Sequence, residues 1–316
     1  MDDQDRFEIA SSPHASSGRS NRAIMCFVIL ALMPNAIVSI YFFKWMALRL
    51  YAACCLGSVA AETIGCLIRR KKVTAGDGSA VVTGLLLAMV LPPSLPIWCA
   101  LLGSIVAILL SKEIFGGLGQ NIFNPALVGR AFLMASFPAL LTSWTKPITL
   151  EAVTRATPLA LSKFEAIRTP MADLFIGNIS GSLGETSALA IIIGGLFLLI
   201  KRAADWRIPA GFIGVVILFG GLLNLANPSS FPGVDFQLFA GGLMLGAFFM
   251  ATDPVTSPIT KKGRWIFGLG CGTLVVIIRA WGGLPEGVMY SILLMNAITP
   301  LINRYTRPRR FGFKIG

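Results

Sequence analysis

Apolar runs long enough to cross a bilayer recur along this chain, and the charged residues gather between them. Only 13% of the 316 residues are charged and mean hydropathy is +0.74, so a water-soluble fold could not solvate the surface these runs would expose. A span needs about 20 apolar residues to match the hydrocarbon core. The pattern therefore predicts an all-α integral membrane protein. The runs fall near 23–43, 47–68, 79–91, 94–111, 122–141, 187–200, 208–226, 236–251, 265–281 and 286–303, about ten transmembrane helices. Several are short or interrupted. Residues 79–91 end at Leu91-Pro92-Pro93, and 122–141 contains Asn124-Pro125. Broken helices at membrane depth are tolerated where they line a cavity or lie buried in protein.

The net charge of +12 at first suggests nucleic acid. The basic residues instead flank apolar runs, as topology signals do, with no basic stripe interleaved with aromatics, so no nucleic-acid partner is expected. Arg69-Arg70-Lys71-Lys72, Lys112, Lys201-Arg202 with Arg207, Lys261-Lys262 with Arg264, and Arg304, Arg307, Arg309 and Arg310 fall on one side. The other side has short loops without Lys or Arg at 92–94, 227–235 and 282–286. This places both termini in the cytoplasm and the long loop 142–186 in the periplasm of a multi-pass protein of the bacterial cell inner membrane. The loop carries Lys146, Arg155, Lys163 and Arg168, but long loops translocate regardless of charge.

The expected organisation is a disordered cytoplasmic tail (1–22), a membrane half (23–141), the outer loop (142–186), a second membrane half (187–303) and a basic tail (304–316). The first tail lacks the apolar region and cleavage site of a signal peptide. The halves read as repeats. Asp77 precedes Gly84-Leu85-Leu86-Leu87 at the spacing by which Asp235 precedes Gly242-Leu243-Met244-Leu245, and Pro96 matches Pro254 in the same register. Gly116-Gly117-Leu118 corresponds to Gly282-Gly283-Leu284. Five spans per half is odd, so the halves must be inverted, an arrangement in which broken helices meet at a midplane site.

A long loop in a compact protein usually carries function. This one contains Glu151-Ala152-Val153-Thr154-Arg155-Ala156-Thr157-Pro158, which leaves a threonine hydroxyl reachable. Two further segments stand out: 119–130, with Asn121, Asn124 and Arg130, and 250–258, with Thr252, Asp253 and Thr256. Together, and along the whole chain, these segments resemble the D subunits of Rnf (Rsx) complexes, and more weakly the B subunits of sodium-translocating NADH:quinone reductases. The attachment motif of that family runs Asp, two residues, Ser or Thr, Gly or Ala, Ala, Thr. Here Thr154, Ala156 and Thr157 fit, Glu151 stands for the Asp, and Arg155 replaces the small residue.

The resemblance implies FMN bound covalently through a phosphoester to Thr157. It also implies a separate flavin transferase that uses FAD, since nothing near Thr157 is an obvious base to activate a weak nucleophile. Redox chemistry would belong to the flavin, with protein groups supplying orientation and electrostatics. Arg155 and Lys163 would offset phosphate charge. The further implication is a subunit, not catalytic alone, of an ion-transporting ferredoxin:NAD oxidoreductase. Its partners would be other membrane and peripheral subunits, including a periplasmic FMN subunit, and electron flow would be coupled to sodium or proton movement. Riboflavin is a second expected flavin by analogy with the reductase relatives.

His14 lies in the polar tail, so a histidine-ligated haem or zinc site is not expected. Cys26, Cys54, Cys55, Cys66, Cys99 and Cys271 lack CxxC spacing and read as inert apolar thiols. Glu62 lies inside the second span and should face a polar cavity or a neighbouring subunit; with Asp253 it is a candidate for an ion pathway. Asp253 also reads as a turn residue. Arg279 either snorkels or serves a site. Asn121, Asn124 and Asn296 cap broken helices or hydrogen-bond a cofactor. A non-redox channel or secondary transporter fits inverted repeats and broken helices equally well, and a purely structural scaffold subunit is a third reading. The outer-loop motif separates the first reading from both.

Overall fold

The computed structural model describes residues 20–71, 73–145, 147–148, 152–153, 157–164, 169–228 and 231–307. Twelve helical segments organise them: α1 Asn21–Phe43, α2 Trp45–Ile68, α3 Ser79–Met89, α4 Ile97–Ile108, α5 Pro125–Ser136, α6 Pro158–Phe164, α7 Ala188–Ile200, α8 Arg207–Ala226, α9 Val234–Phe239, α10 Leu243–Leu245, α11 Lys261–Trp281 and α12 Val288–Tyr305. Two further short helices, Pro138–Leu141 and Met171–Ile176, lie in the connections. A two-residue antiparallel ladder pairs Trp144 with Val153 and Thr145 with Ala152. The protein is a mostly helical, multi-pass membrane protein.

Four helices, α1, α2, α8 and α11, are long and apolar enough to cross a bilayer. Helices α3 and α5, with 11 and 12 residues, reach only about 18 Å at 1.5 Å per residue, well short of a 30 Å core. The reasons are local. Helix α3 runs into Leu91-Pro92-Pro93, where proline ends the amide ladder. Helix α5 starts at Pro125, and the Asn124 Oδ1 accepts the amides of Ala126 (3.1 Å) and Leu127 (3.4 Å). The expected run 122–141 is thus cut at its start, as its Asn-Pro pair predicts. The run 236–251 is broken differently: Ala240, Gly241 and Gly242 separate α9 from α10, with Gly241 at φ +73°.

Two wide turns follow short helical segments. The Ile114 amide reaches back five residues to Leu109, and the Ala251 amide reaches back five to Gly246. Such π-type turns rotate the side chains that follow them and often mark functional places. The first one follows α4 and carries Ser111, Lys112 and Glu113, all buried.

Packing runs through small residues. Helix α2 lies against α3 and α4, and α4 against α5. Helix α8 lies against α11, α11 against α12, and α1 against α7. A Cβ on Gly84 would meet the Cys54 carbonyl oxygen of α2 at 2.7 Å, and one on Gly272 would meet the Phe212 carbonyl oxygen of α8 at 2.6 Å. Glycine is what allows these backbones to touch, the usual device between membrane helices. Tyr41, Leu56, Ile68, Leu218 and Leu225 stay exposed on the outer faces, as lipid contact requires.

Basic residues collect at one end. There Arg264 and Arg207 (2.9 Å) pair with Asp205, joining the turn before α8 to the start of α11. The long connection after α5 packs at the other end, where the Ile148 amide donates to Phe42 at the close of α1 (3.0 Å).

Candidate functional site

Thr157 sits half-buried immediately before α6. Its hydroxyl accepts the Ala160 amide (3.3 Å) and its carbonyl accepts the Leu161 amide (2.9 Å), so Thr157 caps α6. Glu151, Thr154, Arg155 and Ala156 lie outside the described residues. Helix α6 is fixed at both ends. Leu159 packs with Leu174, Ile179, Phe236 and Ala240 in a small apolar cluster. The Lys163 ammonium donates to the carbonyls of Ile278 (3.4 Å), Gly282 and Leu284 (3.0 Å). These contacts set the Lys163 charge on carbonyls at and just beyond the end of α11, where a cation is favoured. A cavity of about 230 Å³ opens beside α6, walled by Leu159, Ser162, Phe231, Phe236, Gln237 and Arg279.

Arg279 does not snorkel. It donates to the Gln237 carbonyl and, at 3.1 Å, to the Ala240 carbonyl, so it closes the break between α9 and α10. Its Nε is buried without a partner. Arg130, from the second turn of α5, reaches Glu286 at 2.9 Å and Glu185 at 3.8 Å. Glu286 also accepts the Gly242 amide (2.9 Å), and Glu185 accepts the Ser182 hydroxyl (2.9 Å). Residues far apart in sequence, on five segments, thus share one buried polar cluster. The turn bearing Glu185 is itself held deep: the Leu183 amide donates to the Leu91 carbonyl (3.1 Å), and Asn35 of α1 donates to the Gly184 carbonyl (3.2 Å).

At the basic end, Asn121, Asn124, Lys112, Thr252 and Asp253 line a second cavity of about 60 Å³. Asn124 caps α5 and donates to the Met250 carbonyl (3.2 Å), tying the two expected companion segments together. Asn121 donates to the Phe123 carbonyl (3.3 Å), and its buried Oδ1 has no partner. Asp253 accepts the Val255 amide (3.3 Å) and the Thr256 hydroxyl (3.1 Å), the arrangement of a turn-forming aspartate. Asn296 is fully buried with neither polar side-chain atom paired.

Glu62 is fully buried away from lipid, and it meets Lys112 and Thr74 of its own chain and not a polar cavity. The Lys112 ammonium lies 2.8 Å from its Oε1, and Thr74 donates to the same oxygen at 2.6 Å. Lys112 also donates to the Ser79 hydroxyl at 2.6 Å. Lys112 lies at the basic end with the other topology residues, but the π turn points it inward, where a buried charge needs a partner.

Sequence reasoning missed Glu185 and Glu286 as site residues, and missed the pairing of Lys112. A usable signal was present. Glu185 stands just before an apolar run, Glu286 opens one, and Lys112-Glu113 directly follows one.

Comparison with known proteins settles the relationship. The sequence matches the NQR2, RnfD, RnfE family over residues 8–312. The chain belongs to this family. It is 47% identical to the D subunit of the sodium-translocating ferredoxin:NAD(+) oxidoreductase complex of Acetobacterium woodii, over 96% of this chain and 95% of that protein. It is 45% identical to the D subunit of the proton-translocating ferredoxin:NAD(+) oxidoreductase complex of Clostridium ljungdahlii, over 97% and 96%. The D subunit of the ion-translocating oxidoreductase complex of Stutzerimonas stutzeri is 41% identical over 92% of this chain and 91% of that protein. Membership of the family agrees with the resemblance drawn from the three sequence segments.

Proposed function

We propose that this protein is a membrane flavoprotein subunit of an ion-translocating electron-transport complex, passing electrons through FMN held covalently on Thr157. The observation that carries the reading is the position of Thr157. It caps α6 beside a cavity that combines apolar walls with a guanidinium, Arg279, whose buried Nε lacks a partner. An aromatic ring system with polar edges suits such a lining. When bound, the flavin supplies the one- and two-electron chemistry that no side chain here can. The chain's own groups do the rest. Lys163 and Leu159 fasten α6, so the attachment point does not swing. Arg279 and Gln237 present polar atoms to the cavity, and Phe231 and Phe236 exclude water from it.

The same reading places the 142–186 loop in the periplasm and both termini in the cytoplasm. It groups α1 to α5 and α7 to α12 into two inverted five-span repeats, in which the α2–α4–α5 packing corresponds to that of α8, α11 and α12. Riboflavin between the helices is a second flavin on this reading. Glu62 and Asp253 are the candidate ion-pathway carboxylates. Partners are the other membrane and peripheral subunits of such a complex, a periplasmic FMN subunit among them, and a flavin transferase for maturation.

The deciding experiment is flavin fluorescence of the denatured protein in a gel after co-expression with a flavin transferase. Thr157→Val keeps the shape and removes the hydroxyl, so fluorescence should vanish. Fluorescence that persists moves the attachment to another residue, Thr154 first. No fluorescence from the parent protein favours a non-redox transporter.

A further inference from the structure

The Arg130–Glu185–Glu286–Arg279 cluster is more than a structural ion pair. Its two carboxylates are served unequally. Glu286 receives the Arg130 guanidinium at 2.9 Å and the Gly242 amide at 2.9 Å. Glu185 is 3.8 Å from that guanidinium, and its close donor is the neutral Ser182 hydroxyl. Arg279 bears on both carboxylates through its charge but gives Glu185 no hydrogen bond, because its two terminal nitrogens donate to backbone carbonyls. The carboxylates also lie close together beside Gly242, where a Cβ would lie 2.7 Å from an oxygen of Glu286 and 3.2 Å from one of Glu185. Two like charges this close, out of water, are not both held ionised without cost, and the less well served one takes the proton.

We propose that Glu185 is a proton-binding group of this protein, taking up one proton when negative charge arrives beside the cluster and releasing it when that charge leaves. The step is a carboxylate plus one proton from the aqueous phase giving a carboxylic acid, with no other bond changed. The source of the charge rests on the Thr157 reading, through Leu159. Its side chain packs over Gly241, and a Cβ on that glycine would also meet Arg279 at 3.5 Å and Glu286 at 3.7 Å. The attachment helix and the cluster are therefore neighbours.

Burial, and next the Glu286 charge, hold the Glu185 carboxyl well above the ordinary carboxylate range; Arg130 and Ser182 oppose them. The charged and titratable groups around the site are Arg130 from α5, Glu286 before α12, Tyr290 on α12 and Arg279 from α11. Arg130 Nε and Arg279 Nε are both buried without partners, so the cluster keeps spare donors that a static ion pair would have used.

Infrared spectroscopy of the purified complex, titrated between the ordinary carboxylate and lysine ranges, tests this directly. A carboxylic-acid C=O band should appear as pH falls, shift in D2O, vanish in Glu185→Gln and persist in flavin-free Thr157→Val. In the flavin-loaded complex, Glu185→Gln should flatten the pH dependence of the flavin midpoint potential. Ser182→Ala, which removes only the hydroxyl donor, should move the band's titration midpoint upward and covers the case in which Glu185→Gln fails to assemble. A band unchanged in Glu185→Gln, or a midpoint unmoved in Ser182→Ala, overturns the proposal. Covalent flavin surviving in Thr157→Val overturns the attachment reading instead and leaves the infrared result to decide Glu185.

Discussion

The Lys112 ammonium lies 2.8 Å from the Glu62 carboxylate, fifty residues away in sequence, and both side chains are almost wholly excluded from the surface. The pair joins the π turn after α4 to the last third of α2, with the Ser79 hydroxyl at the start of α3 as a third member. Breaking such a pair leaves one charge buried and unmatched.

Lys112→Met should therefore destabilise the protein by about 3–5 kcal/mol. Adding Glu62→Gln should restore much of the loss, because the uncompensated charge is gone. Thermal unfolding in detergent of the two single variants and the double variant measures the coupling. A loss in the double variant equal to the sum of the two single losses would mean that the pair carries no shared energy.

Glu62→Gln alone separates packing from ion transport. It leaves the Lys112 ammonium without its carboxylate, so stability should fall, and ion uptake is compared per assembled, flavin-loaded complex. If Glu62 lies on the ion route, ion uptake per electron falls in vesicles where both are measured together. An unchanged ratio removes Glu62 from the pathway and leaves Lys112–Glu62 as a structural pair.

The orientation is testable with single cysteines. Ser111 is a poor reporter, since it is buried beside the Phe123 carbonyl. Ala172 and Lys262 are both exposed and lie at opposite ends of the helices. In intact cells an impermeant thiol reagent should label Ala172→Cys and spare Lys262→Cys. The opposite pattern would invert the topology and bring Thr157 to the cytoplasm.

Asp205 anchors the turn before α8 to the start of α11. Although burial pushes its carboxyl the other way, the Arg207 amide and the Arg264 and Arg207 side chains hold it below the ordinary carboxylate range. A lowered folded value means that the stabilisation is present above the unfolded value, near pH 4, and is lost as pH falls through the folded one. Asp205→Asn should cost about 1–3 kcal/mol at neutral pH and show a smaller penalty in acid. A penalty that does not depend on pH would assign the effect to lost packing.

Gly272→Leu should force α8 and α11 apart, at a cost of about 1–3 kcal/mol, because the new Cβ would meet the Phe212 carbonyl oxygen at 2.6 Å. Gly214, on α8 with nothing within 4 Å of its Cβ position, is the control and should accept alanine without loss.

How much was legible in the sequence follows from what each signal depends on. Helix existence depends on apolar length, which is local, so the runs at 23–43, 47–68, 208–226 and 265–281 reappear as α1, α2, α8 and α11. Proline and Asn-Pro breaks are equally local, so the end of α3 and the start of α5 fall where the residues put them. The Asn124 cap and the Asp253 turn need only their own neighbours. Charge, by contrast, reads ambiguously along a chain. Lys112 has the same identity whether it faces water or Glu62, and only the π turn after α4 decides which. Lys163 serves three carbonyls at the end of α11 that no spacing rule connects to it. The order of residues was therefore enough for a helical membrane protein, for its family and for the loop that presents Thr157. Folding in three dimensions was needed to bring Arg130, Glu185, Glu286 and Arg279 together, because a buried polar cluster is defined by what surrounds it, and its members come from segments more than 150 residues apart.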